Sequence, residues 1–88
     1  MGYKLVFIDS QTGRTIATKE GSAKPGDKIG PDQEIQVRDT YYDKSSGTDY
    51  DLDTSAENSP LETRISSDKD KNVFTYHYTK HAQRAVEI

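Results

Sequence analysis

The chain has 88 residues, enough for one small domain, with 31% hydrophobic and 31% charged residues and a formal net charge of -3. It has no cysteine, which excludes a disulfide framework, a thiolate zinc site and a cysteine nucleophile. The mildly acidic balance, without a basic stripe, argues against a nucleic-acid partner, and no apolar run is long enough to span a bilayer or to form a signal peptide.

Leu, Ile, Val and Phe total fifteen, below the ~20% that marks disorder when net charge is also high. Net charge is low here and the apolar residues are clustered, so the chain reads as folded around a thin core.

Tyr3 to Ile8 reads as the first strand, apolar on both faces as a central strand must be. Asp9-Ser10-Gln11-Thr12-Gly13 is a turn, in which Asp and Ser bond local backbone and Gly13 supplies a positive φ. Arg14 to Lys19 follows as the second strand of a hairpin. Glu20 to Pro31, with three glycines and two prolines, is loop.

Asp32 to Tyr42 fits two periods. Ile35 and Tyr42 lie seven apart, and Val37 and Tyr41 four apart, as on a helix that Pro31 and Asp32 would start. Ile35 and Val37 also alternate as on a strand. The helix is the expectation taken forward.

Asp43 to Asp49 is a polar turn around Gly47, and Tyr50 to Asp53 a short strand. Thr54 to Pro60 is loop, and Leu61 to Ile65 a short extended piece with Leu61, Thr63 and Ile65 facing together. Ser66 to Asn72 reads as a charged hairpin turn. Val73 to Lys80 is the final strand, with Phe74, Tyr76 and Tyr78 on one face and Val73, Thr75, His77 and Thr79 on the other. Residues 1–80 form the domain, and 81–88 a polar tail, or an inter-repeat linker on the family resemblance described below.

This order predicts an α+β fold of the β-grasp (ubiquitin-like) type: a mixed sheet, first and last strands central and parallel, with one helix packed on it. The alternative is an all-β sandwich, if Asp32 to Tyr42 is a strand.

Little catalytic chemistry is present. Asp68-Lys69-Asp70-Lys71-Asn72 starts like a calcium loop, but Val73 stands where the sharp turn needs Gly and Thr79 where a bidentate Glu is needed. Asp49, Asp51 and Asp53 alternate, as on the solvated face of a half-buried strand, with weak calcium binding as the alternative. His77 and His81 are four apart, a spacing that does not bring side chains together on a strand. No nucleophile elbow, phosphate-cradling loop or dinucleotide fingerprint occurs. The expectation is a non-enzyme without metal or cofactor. Tyrosine is over-represented, and Tyr41 and Tyr42, beside a polar loop, are the candidate ligand-binding pair. The competing reading places one of the two in the core.

Leu5-x-Phe7-x-Asp9-Ser10-Gln11-Thr12-Gly13-Arg14-x-Ile16 resembles the opening of the MucBP (mucin-binding protein) repeats of Gram-positive bacterial surface adhesins. Pro25-Gly26-Asp27, Gly47 to Leu52 and Val73-x-x-Tyr76-x-Tyr78-x-Lys80 resemble later elements of those repeats, in the same order. The resemblance implies a β-grasp-like module, repeated in tandem and displayed outside the cell in wall-anchored proteins. Its implied partners are mucin or another host glycoprotein, glycans being one point of contact, and neighbouring repeats of the same polypeptide, with no membrane contact by this domain. A structural spacer without a ligand of its own is the competing role. The resemblance carries no binding residue over, so Tyr41 and Tyr42 rest on the surface argument alone.

Overall fold

The computed structural model describes residues 1–81. Seven strands are present: β1 (Gly2–Asp9), β2 (Thr15–Ser22), β3 (Ile29–Gly30), β4 (Ile35–Gln36), β5 (Thr40–Asp43), β6 (Thr48–Leu52) and β7 (Val73–Lys80). Five form one curled mixed sheet in the order β2-β1-β7-β6-β5. β1 and β7 lie side by side and parallel, with Leu5 opposite Phe74 and Phe7 opposite Tyr76. β2 flanks the pair beyond β1, and the antiparallel β5–β6 hairpin flanks it beyond β7.

The expected α+β class is overturned. Among the described residues the only helical element is a 3-10 turn at Lys69–Lys71, and no helix packs on the sheet. The segment expected as helix instead supplies β4 and β5. Ile35 and Val37 are both buried while Gln36 between them is exposed, so period 2 prevails. Their amides bond to distant carbonyls, Ile35 to Lys28 at 3.1 Å and Val37 to Gly30 at 3.0 Å, and not to a preceding helical turn. Ser66 to Asn72 is no hairpin turn either, because β7 pairs with β1 and β6 rather than with the chain just before it.

The cover over the sheet is small and irregular. β3 pairs with β4 in parallel, Ile29 opposite Ile35. The 61–65 segment closes against 26–29 through Gly26 N–H to Ile65 O (2.9 Å), Ile65 N–H to Asp27 O (2.8 Å) and Ile29 N–H to Thr63 O (3.0 Å). Ile29, Ile35, Val37 and Ile65 from this layer meet Leu5, Phe7, Phe74, Tyr76 and Tyr78 from the sheet. Each such side chain, taken fully out of water, contributes about 1.5–3 kcal/mol.

β6 is shorter than β7, and side chains complete the ladder where it ends. Ser59 Oγ accepts the Thr75 amide at 2.8 Å and Asn58 Oδ1 the His77 amide at 2.6 Å. The buried Asn72 side chain likewise exchanges two bonds with the Ser66 backbone, each 2.9 Å. These bonds satisfy polar groups that burial would otherwise leave costly.

Two hairpin loops repeat one design at one end of the sheet. In Asp9–Gly13 and Asp43–Gly47 the glycine amide bonds the aspartate carbonyl (2.7 and 2.8 Å). The aspartate Oδ1 accepts the amide two residues on (2.8 and 3.1 Å). Both glycines adopt positive φ, 76° and 67°, which favours Gly over any residue with a Cβ.

Candidate functional site

The sheet's core face is only partly covered. Beyond the edge of the β3–β4 layer lies an open hollow of about 270 Å³. Phe7 and Tyr78 line its depth, and Lys19, Arg38, Thr40 and Tyr41 are among its other walls.

Register explains how these residues meet. Phe7 on β1 and Tyr78 on β7 are buried at 2% and 1% exposure. Their rings stand edge to face, 5.1 Å apart at 61°. Tyr41, on β5, faces the same way and is half-buried. It stands edge-on to Phe7 (5.3 Å, 67°) and 6.1 Å from Tyr78. Well-arranged aromatic pairs of this kind contribute about 0.5–1.5 kcal/mol each beyond their burial.

Lys19 comes from β2, where pairing places it opposite Leu5 on the same face. It is an inward-pointing charge on an edge strand, a device that also discourages edge pairing. Its Nζ lies 5.5 Å from the Phe7 ring centre and 5.6 Å from that of Tyr41. Both distances fall within cation–π range. Arg38 enters from the β4–β5 connection, its backbone fixed because Tyr78 Oη donates to its carbonyl at 2.7 Å. Among the described residues no carboxylate lies within ion-pair distance of Lys19 or Arg38, and none lines the hollow. The hollow is therefore cationic in a chain whose net charge is -3.

The buried hydroxyls of Tyr78, in the hollow, and of Tyr76, next along the same face of β7 but outside it, stay protonated. Burial pushes Tyr76 up to about 12 and Tyr78 higher still. Each therefore donates: Tyr76 to Pro60 O at 3.0 Å and Tyr78 to Arg38 O. Tyr41 is raised as well, by burial first and then by Asp43.

Tyr41 and Tyr42 are adjacent on β5 and point to opposite faces of the sheet. Tyr41 packs on the core. Tyr42 is 54% exposed, pairs with Asp49 and reaches the hollow only at its edge. The sequence reading missed Phe7, Lys19, Arg38 and Tyr78. A signal for Lys19 was present: Ala17 and Lys19 alternate on one face of the second strand, so a cation shares the core face with an apolar residue. Arg38 had none, because its place depends on a bond from a residue forty positions away.

A second hollow, of about 310 Å³, lies between the two aspartate–glycine loops and is lined by Asp9, Arg14, Asp43, Tyr50 and Lys80 among others. Its two acids face two bases, so it carries no net sign. On the other side of the sheet, His81 Nδ1 meets Asp51 Oδ2 at 2.7 Å, which raises the imidazole pKa. The expected polar tail begins with this exposed histidine; residues 82–88 lie outside the described residues. His77 is half-buried and bonded to Asn58 (3.0 Å), apart from His81 and its aspartate. Among the described residues no three His, Asp or Glu side chains gather as metal ligands do. No helix among them is long and apolar enough to cross a membrane.

No protein-family model, no curated protein and no solved structure matches this chain.

Proposed function

We propose that the chain is a non-catalytic adhesion module of a bacterial cell-surface protein, anchored to the wall through its parent polypeptide, that binds mucin or another host-surface glycoprotein. The observation that carries this reading is the open hollow beside Tyr41, where aromatic rings, hydroxyls and two cations without an ion-pair partner among the described residues converge. Sugars are recognised by such sets: their C–H faces pack on aromatic rings and their hydroxyls bond to polar groups around them. The motif order that resembles the MucBP repeats supports the same reading.

The hollow is small and open, so one module binds weakly and linked copies gain by avidity. The test is retention of tandem two- and four-copy proteins on immobilised mucin. Retention that rises steeply with copy number is expected. Four copies that are retained no better than on bare surface overturn the proposal.

One observation favours a spacer role. Because β1 and β7 are parallel, the chain enters the sheet at one end and leaves it at the other. Eight residues of strand at about 3.3 Å each separate these points by roughly 26 Å. Modules so built string end to end and extend a stalk. On that reading small-angle scattering of tandem proteins shows a length that grows linearly with copy number, without mucin retention.

A further inference from the structure

We infer that the hollow walled by Lys19, Arg38 and Tyr41 selects an acidic saccharide unit, a sugar ring bearing a carboxylate or a sulfate, over neutral sugars. This rests on the adhesion reading and names the class of ligand for its site.

Charge supplies the first argument. The chain has more acidic than basic residues, yet the hollow is lined by two cations and no acid. Neither cation has an ion-pair partner among the described residues. Lys19 is held over two rings, which attract its ammonium without neutralising it. An anion arriving there meets a placed positive charge, and a charge-assisted hydrogen bond is about twice as strong as a neutral one.

The remaining lining supplies the second. A bare anion needs only the cations. The hollow adds the Tyr41 ring, the Thr40 hydroxyl and the Gln36 amide, whose Nε2 already donates to Pro31 O at 3.0 Å and leaves its oxygen free to accept. These groups suit a ring with an apolar face and several hydroxyls. Size supplies the third: about 270 Å³ is below the ~300 Å³ at which sites for drug-sized ligands begin, and admits one sugar unit.

The segment carrying Arg38 is ready-made. Val37 N–H bonds Gly30 O at 3.0 Å, Tyr78 Oη bonds Arg38 O, and Leu52 N–H bonds Asp39 O at 2.7 Å. Three anchors on consecutive residues reduce the ordering cost that weak sites otherwise bear.

The test is an amide- and aromatic-resolved NMR titration with four probes: the methyl glycoside of N-acetylneuraminic acid, galactose 6-sulfate, N-acetylgalactosamine and inorganic sulfate. Both acidic sugars are expected to shift Lys19, Arg38 and Tyr41 resonances, and to bind about tenfold more tightly than the neutral sugar. Lys19→Gln and Arg38→Gln, both at exposed positions, should each weaken that binding about tenfold with the fold retained; Arg38→Gln leaves the melting temperature unchanged, and Lys19→Gln lowers it slightly through the lost cation–π contacts. Equal binding of the neutral sugar overturns the inference. So does inorganic sulfate binding as tightly as the acidic sugars, which marks a plain anion site, and so do shifts that map elsewhere. Mucin retention by tandem proteins separates the two readings. If it survives in the Lys19→Gln/Arg38→Gln variant, this site is wrong and adhesion stands. If wild-type tandem copies ignore mucin while the acidic sugars still shift the three residues, adhesion fails and the site stands.

Discussion

The Tyr78 hydroxyl donates to the Arg38 carbonyl at 2.7 Å, joining the central strand β7 to the β4–β5 connection across forty positions of sequence. The bond is deep, since Tyr78 is 1% exposed and its hydroxyl pKa lies far above the ordinary range through burial. It couples the core to the cationic wall of the hollow.

Tyr78→Phe removes this donor and keeps the ring. The Arg38 carbonyl then loses its buried phenolic partner. The expected cost is about 1–2 kcal/mol. Each kcal/mol lowers the melting temperature of a domain this size by about 4–8 °C. Chemical denaturation checks it. An unchanged midpoint would show that the bond contributes nothing net.

Stability responds to pH through His81. Its pKa is raised first by the hydrogen bond to Asp51 and then by the Asp51 and Asp49 charges. A raised folded pKa gives stabilisation that is full below the unfolded value of about 6.5 and is lost as pH rises through the higher folded value. Asp43 and Asp53 act in the opposite sense. Their pKa values are lowered, chiefly by the hydroxyls of Ser45 and Ser55 respectively. Their stabilisation is present above the unfolded value near ~3.9 and is lost as pH falls through the lower folded one. His81 is exposed and the two aspartates are only partly covered, so the effects are small. The His81 ring resonances should titrate above the ordinary histidine value, and Asp51→Asn should bring them back to it. A normal titration in the wild-type protein removes the His81–Asp51 pair from the account.

How far these features could be read in advance depended on the range of the interactions behind them. The first hairpin and Val73–Lys80 were legible because alternation and turn residues are local signals. The adjacent, parallel placement of β1 and β7 followed from their being the two most apolar strands. Asp32 to Tyr42 was misread because eleven residues with four apolar positions fit both periods. What decided between them was the cover Ile35 and Val37 had to form over Leu5 and Phe7, a tertiary constraint no local pattern carries. The tyrosine pair was singled out from the sequence, but its geometry was not legible there. Once the segment is a strand, adjacent residues part to opposite faces, and only Tyr41 keeps its place in the aromatic wall.

The two repeated loops predict matched glycine effects. Gly13 and Gly47 hold φ of 76° and 67°, and a Cβ at Gly13 would meet nothing within 4 Å. Ala there costs backbone strain alone, about 1–2 kcal/mol. Gly13→Asn and Gly47→Asn should cost less than their alanine counterparts, because Asn tolerates the left-handed region. Alanine and asparagine variants of equal stability would show that the loops relax away from this conformation.

Asn58 predicts a loss out of proportion to its place in an irregular loop. Its Oδ1 accepts the His77 amide at 2.6 Å and lies 3.0 Å from His77 Nδ1, while its Nδ2 donates to Asp53 O at 2.8 Å. One side chain thus does what a neighbouring strand does elsewhere, next to Ser59, which takes the Thr75 amide. Asn58→Ala leaves the His77 amide on a central strand without an acceptor, at a cost of about 1–3 kcal/mol. Asn58→Asp keeps the acceptor and sets a negative charge beside the imidazole. It gives up the Nδ2 bond to Asp53 O, so it should recover part of that loss and not all of it. Hydrogen exchange at the His77 amide reads the local effect: fast in Asn58→Ala and slow in Asn58→Asp. Slow exchange in both would mean that the ladder of β7 closes without Asn58.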